Sequence, residues 1–312
     1  MKINPQLLHI SKEVRAALIS NQPVVAFESA VITHGLPHPI NFELALEMEN
    51  IAIKNGVTPA TIALIDGVIR VGISKEELFE LSKARELHKI SKKDIAIATV
   101  NKWSGGTTVA ATLLICRMAG IQVFATGGIG GVHRNSQFDI SNDLKELAEV
   151  PVITVCSGAK SILDLPATIE YLETMGIPVL GYQTNEFPAF FSRESGLNVT
   201  LRVETPAEIA DVFINQIRLG FQNALLITNP IPESQELKKS TIDGFILEAL
   251  VDAQNESIHG AATTPYLLDK VSKKSSGKSL TANLALLKNN ALLASQIAIE
   301  LSSRAKKKEI TI

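Results

Sequence analysis

The chain has 312 residues, 46% hydrophobic and 20% charged, enough to close one large core or two modest ones. Its formal net charge of −2, with lysine and arginine dispersed apart from short runs near Lys273 and Lys306, gives no field for a polyanion and argues against nucleic acid as a partner. Polar residues interrupt every hydrophobic run short of a bilayer's thickness, and Met1 to Pro5 lack the apolar core of a leader segment, so no membrane partner is expected and the cytoplasm is the default location.

Short β-branched runs alternate with longer segments of helical period. In chain order, residues 24–27 predict a first strand and residues 41–55 an amphipathic helix. Further strands are predicted at 61–65, 95–100, 123–126, 152–156, 179–182 and 224–228. Further helices are predicted over 107–119, 161–175, 206–219 and 280–304. The strand runs are almost continuously apolar, which suits a sheet covered on both faces. Most helices separate consecutive strands, as parallel crossovers require. The expected fold class is α/β: a three-layer α/β/α arrangement with a largely parallel central sheet. With no low-complexity linker and no internal repeat, residues 1–312 read as a single domain. Cys116 and Cys156 are the only cysteines, lack ligand spacing, and read as reduced, buried thiols.

Sheets of this kind place ligands beyond the carboxyl ends of their strands. The run from Val152 to Ser161 sets Lys160 just past such an end. A lysine amine attacks carbon only when neutral, and an ordinary pKa of about 10.4 leaves almost none neutral at pH 7. A nucleophilic Lys160 therefore needs desolvation or a neighbouring cation; the alternative is a solvated lysine on a helix's first turn. Glu28 ends the first strand, where an apolar wall would oppose its ionisation and suit it to proton transfer, or where it caps a helix or joins an ion pair. His34 follows in a loop with Pro37 and Pro39, either in an active-site turn or as a structural hydrogen-bonding histidine.

Two glycine-rich turns stand out. Gly105-Gly106-Thr107-Thr108 would open a helix, its amides and hydroxyls either holding a phosphate or capping that helix. Gly127-Gly128-Ile129-Gly130-Gly131-Val132-His133-Arg134 is denser in glycine than a connection needs and points to function. Neither turn is a phosphate-binding loop of the nucleoside-triphosphatase type, and His133 stands where a dinucleotide fingerprint requires glycine. Gly277-Lys278-Ser279 lacks the upstream glycine, so a sugar kinase has no motif in its favour. In Phe138-Asp139-Ile140-Ser141-Asn142-Asp143, two carboxylates, an amide and a hydroxyl offer oxygen ligands for Mg²⁺ or Mn²⁺, while Ser141 and Asn142 also suit a helix cap.

These blocks, with Pro23–Ser29, Thr33-His34-Gly35, Pro59–Ala63, Ser157-Gly158-Ala159-Lys160-Ser161-Ile162-Leu163-Asp164, Gly181-Tyr182-Gln183-Thr184, Pro188-Ala189-Phe190-Phe191, Asn229-Pro230-Ile231-Pro232 and Asn289-Asn290-Ala291, resemble the pseudouridine-5'-phosphate glycosidase, or indigoidine-synthase-A-like, family over essentially the whole chain. The resemblance implies reversible cleavage of the C–C glycosidic bond of pseudouridine 5'-phosphate to uracil and ribose 5-phosphate, a step of pseudouridine catabolism. It implies Lys160 as Schiff-base nucleophile, Glu28 as proton carrier and Asp139 as ligand to Mn²⁺. Substrate contacts are implied at Lys89, Val109, Thr126, His133, Ser141, Asn142, Asp143 and Asn283. By charge and hydroxyl content, His133, Ser141 and Thr108 belong near phosphate, and Lys89 and Asn283 near the base. A homotrimer is also implied. Ala30 stands where the family pattern has threonine, and the tract Asn135–Gln137 is short. Two other readings are a Schiff-base lyase or aldolase for another phosphosugar and a non-catalytic phosphosugar-binding protein.

Overall fold

The computed structural model describes residues 4, 6–134, 139–256, 258 and 263–309; the short tract Asn135–Gln137, Phe138 and most of the Met1–Pro5 stretch lie outside the described residues. The first third holds β1 (Leu8–Ile10), α1 (Lys12–Ile19), β2 (Val24–Phe27), a π-helical turn (Val31–Gly35), α2 (Ile40–Lys54), β3 (Thr58–Ile65), β4 (Val68–Val71), α3 (Lys75–Lys83) and β5 (His88–Ile90). The middle holds α4 (Ile95–Val100), β6 (Gly105–Thr107), α5 (Val109–Ala119), β7 (Val123–Ala125), β8 (Val132–His133), α6 (Asn142–Glu149), β9 (Ile153–Cys156), β10 (Leu163–Asp164) and α7 (Leu165–Thr174). Then come β11 (Val179–Tyr182), β12 (Leu201–Val203), α8 (Pro206–Arg218), β13 (Leu225–Thr228), α9 (Lys239–Asn255), α10 (Thr263–Lys274) and α11 (Lys278–Glu309).

The main sheet runs β1-β4-β3-β2-β7-β9-β13-β11-β12, with β6 on β3 and β5 on β6. From β3 through β12 every neighbour is parallel. Among the named strands of the described residues, antiparallel pairing occurs for β4 and β6 against β3 and for the separate β8–β10 pair. The protein is thus α/β with a mostly parallel sheet, as its sequence predicts. All four residues of β2, β9 and β13 are buried, because helices cover both faces. α11 packs against α2 and α8 and against β2, β7 and β9. Local chemistry sets the helix limits: the Thr108 hydroxyl accepts the Ala111 amide at the start of α5, and Gly120 closes it in the left-handed region at φ 79°.

Three sequence expectations need correction. Residues 95–100 form α4, a helix and not a strand. The β-branched run imitates a strand, yet Ile95 and Ala98 are buried at helical spacing while Ile97 and Val100 are exposed, and Ser91 with Asp94 supplies a capping box just upstream. Gly105–Thr107 is a short strand, so the helix expected from 107 begins at Val109. The helix expected from 161 begins at Leu165, because Leu163 and Asp164 pair with His133 and Val132 first. Among the described residues no helix is long and apolar enough to cross a membrane.

Candidate active site

Register brings the site together. Phe27 of β2 lies opposite Ala125 of β7, and Ala125 lies opposite Val155 of β9. Three adjacent strands therefore end at one level, releasing Glu28, Thr126 and the Cys156–Lys160 turn side by side. Strands sit about 4.8 Å apart, so β2 and β9 are about 10 Å apart, with β7 between them. Gly127 and Gly128 follow β7 and put no side chain into that gap.

Glu28 is 9% exposed, and the Thr126 hydroxyl donates a short hydrogen bond to its Oε1. Burial pushes the Glu28 carboxyl above its ordinary range, opposed by the positive charge of Lys160 and then by the Thr126 bond. The backbone fixes Lys160: its amide donates to the Ile129 carbonyl (3.1 Å), and the Ile129 amide donates to the Gly158 carbonyl (3.1 Å). Gly158 has φ +83°, and a Cβ there would overlap the Pro188 carbonyl oxygen, so this turn requires glycine. Lys89 arrives on β5 from the far side. Burial pushes its ammonium pKa down and the neighbouring charge of Lys160 pushes it further, against the pull of Asp143 and Glu28.

Two cavities meet at these groups. A polar one of about 630 Å³ is lined by Thr108, Val109, His133, Asp139, Ser141, Asn142 and Asp143, and opens past His88, Ser91, Lys93, Asp94 and Trp103. A smaller one of about 70 Å³ has apolar walls from Val31, Phe190, Leu268 and Leu287 and a polar edge from His34 and Asn283. Glu28, Ala30, Lys89 and Lys160 line both. Every predicted site residue thus lies on one of the two cavities except Thr126, which reaches the site through Glu28. Asn283 stands on the apolar side only, and His133, Ser141 and Thr108 on the polar side only.

Asp143 has a structural task as well as a cavity position. Its Oδ1 accepts the Ala110 amide (2.9 Å) and its Oδ2 the Gly130 amide (2.8 Å), which bolts the start of α5 to the glycine loop. The α5 N-terminus is thereby filled by a carboxylate. Gly130 earns its place by close approach, since a Cβ would overlap the Ser141 hydroxyl. Much of the glycine density therefore serves packing and not anion binding. The His34 ring is committed too: Nε2 lies 3.1 Å from the Leu87 carbonyl, which can only accept, and Nδ1 lies 2.7 Å from the Thr33 hydroxyl. Burial pushes its pKa down and favours the neutral ring.

Asp139 lies at the polar cavity with Oδ2 4.0 Å from His133 Nδ1, and burial lowers the His133 pKa against the pull of that carboxylate. Among the described residues no three or more His, Cys, Asp or Glu side chains form a metal cluster. A single half-exposed carboxylate fits a dication that keeps most of its water.

Sequence reasoning placed Phe190 and Asn290 in matching blocks but gave neither a role. Phe190 holds φ +64°, rare for an aromatic residue, and its ring forms the wall of the apolar cavity facing Gly128. Asn290, buried in α11, donates to the Thr126 carbonyl (2.8 Å) and the Ser157 hydroxyl (3.1 Å) and accepts from Asn229 Nδ2 (3.1 Å). An asparagine pair inside an apolar helix was the available signal.

A lysine-bearing, mostly parallel α/β fold with this strand-end constellation has known counterparts. The family described as indigoidine synthase A like protein matches residues 13–300, and the chain belongs to it. A Staphylococcus aureus relative named pseudouridine-5'-phosphate glycosidase is 49% identical over 294 residues, 94% of this chain and 96% of the relative. One of the same name from Escherichia coli is 47% identical over 303 residues, 96% of this chain and 97% of the relative. Among solved structures, an indigoidine synthase A-like protein from Thermotoga maritima superimposes with a TM-score of 0.89 at 35% identity, covering 97% of this chain and 99% of that one. The prealnumycin C-glycosynthase AlnA in complex with ribulose 5-phosphate superimposes with a TM-score of 0.90 at 36% identity and the same coverage.

Proposed function

We propose that this protein is an enzyme that reversibly cleaves the C–C glycosidic bond of pseudouridine 5'-phosphate, giving uracil and ribose 5-phosphate. The carrying observation is that Lys160 and Glu28 sit where an apolar cavity with an amide edge meets a polar cavity with lysines and hydroxyls. The first suits a planar base and the second a phosphorylated sugar.

Carbon leaves poorly, so the electrons of the broken bond must return to the pyrimidine ring. Glu28, held toward its protonated form, donates as the ribose ring opens, and the neutral Lys160 amine adds to C1'. A proton then reaches C5 of the base. As the lysine nitrogen's lone pair forms C1'=N, the C1'–C5 electrons restore the ring's C5=C6 bond, and water later hydrolyses the imine. Lys89, its own charge weakened by burial, and Asn283 stabilise charge on the uracil oxygens. His133, Ser141 and Thr108 hold the phosphate. Asp139 would hold Mn²⁺, which when bound supplies positive charge at the phosphosugar end.

A substrate carrying a doubly charged phosphate does not cross bilayers unaided, which favours cytoplasmic work. The proposal includes a homotrimer; exposed Leu247 and Val251, one turn apart on α9, offer apolar surface for a subunit contact, and light-scattering mass is its check.

Incubation with Mn²⁺ and pseudouridine 5'-phosphate should release uracil, and borohydride should leave a ribose-phosphate adduct on Lys160, read by peptide mass spectrometry. Folded Lys160→Ala should do neither. Release of an aldehyde or ketone from another phosphosugar, with no uracil, would instead select the aldolase reading, and turnover by Lys160→Ala would remove the Schiff base.

A further inference from the structure

A third cavity, of about 470 Å³, continues the apolar one. It shares His34, Gly35, Leu268 and Asn283 with that cavity and no residue with the polar cavity. The three spaces therefore follow in order: phosphosugar end, reaction centre with the base pocket, and this outer chamber. One wall is the end of the π-helical turn with Leu36 and Pro37, and the other is α10 with the start of α11.

Its chemistry differs from that of the phosphosugar end. Neither lysine nor arginine lines it, and its one carboxylate, Asp269, is paired with Lys273 (2.6 Å), whereas the polar cavity carries Lys89, Lys93 and Lys160 interleaved with Glu28, Asp94, Asp139 and Asp143. A phosphate dianion finds lysine ammonium groups to pair with in the polar cavity and none in the lining of the outer chamber. Leu268, Leu280 and Phe191 offer flat apolar contact, and Ser272, Ser279 and Asn283 offer donors and acceptors. That combination takes a neutral planar heterocycle with amide edges, such as a free pyrimidine base.

We infer that this chamber is the base's own passage. Uracil enters and leaves through it while the ribose phosphate stays joined to Lys160, so cleavage releases uracil first and the sugar second. The inference rests on the glycosidase reading, whose imine already fixes uracil as the first product, and adds to it a separate mouth for the base.

Leu280→Trp, and independently Ser272→Trp, place an indole in the chamber without touching the lysine end. Full-length enzyme is first loaded with ribose 5-phosphate, and the borohydride-trappable adduct is timed. Uracil is then added, and consumption of the preformed adduct is followed by rapid quench. Adduct formation should keep the parent rate in both variants, and consumption by uracil should slow by about tenfold or more. Parent-rate consumption in either folded variant, or equal slowing of both steps, would overturn the separate passage. Parent protein that forms neither adduct nor product would instead show that the glycosidase reading beneath it is wrong.

Discussion

At the scale of single residues, Glu28 shows how burial becomes a proton-transfer property. Folding pushes its carboxyl above the ordinary value of 4.5, chiefly by desolvation. The folded protein thus binds that proton more tightly than the unfolded chain. Stability is full below pH 4.5 and is lost as pH rises through the window up to the folded value. Glu28→Gln has no such loss, so its urea midpoint should gain on the parent's with rising pH across that window; a constant difference would show that the carboxyl is not raised. The same substitution should slow single turnover by about 10² with substrate binding retained. Glu28 and Lys160 were legible in the sequence because the first directly follows an apolar strand and the second lies one short turn past another. The Thr126 bond to Glu28 spans 98 positions, and the Asp143 bonds span 33 and 13, separations at which no periodicity speaks. Sequence reasoning asked for a cation beside Lys160, and only the fold brings Lys89 alongside, its own ammonium pKa pushed down by burial and then by the Lys160 charge.

Among the elements, the turn after β9 carries the most constraint for its length. Gly158→Ala must hold φ +83° with a Cβ against the Pro188 carbonyl, and should cost about 2 kcal/mol or more in urea unfolding. Because Lys160 hangs from the same turn, borohydride adduct yield should fall in protein that still folds; full yield with unchanged stability would mean that the turn relaxes freely. β2 was readable from its unbroken apolar run and α2 and α8 from their period, whereas α9 and α10 were not anticipated. The failure at α4 has a local cause: six residues with β-branched side chains at alternate positions satisfy a strand template, and burial with the upstream Ser91–Asp94 capping box separates the two. Strands of two or three residues such as β6, β8 and β10 exist through pairing partners, so no local pattern announces them.

Across the whole molecule, α11 clamps the strand ends through one buried amide. Asn290→Leu would leave the Thr126 carbonyl, the Ser157 hydroxyl and the Asn229 amide short of partners and should cost about 3 kcal/mol, read from denaturant midpoints. A neutral effect would show that water replaces the amide. Strand order was the part of the fold least visible in sequence, since β7 enters between β2 and β9 by crossover and not by local preference. That order has a thermal consequence. The distance from proton carrier to nucleophile spans two rungs of backbone hydrogen bonds, and a rung is either intact or broken. On warming, the chemical step should hold steady while the amides of β7 resist deuterium exchange. It should then fail at the same temperature as their protection, abruptly and not by degrees. A gradual decline beneath intact protection would mean that side-chain packing, and not the ladder, sets the gauge.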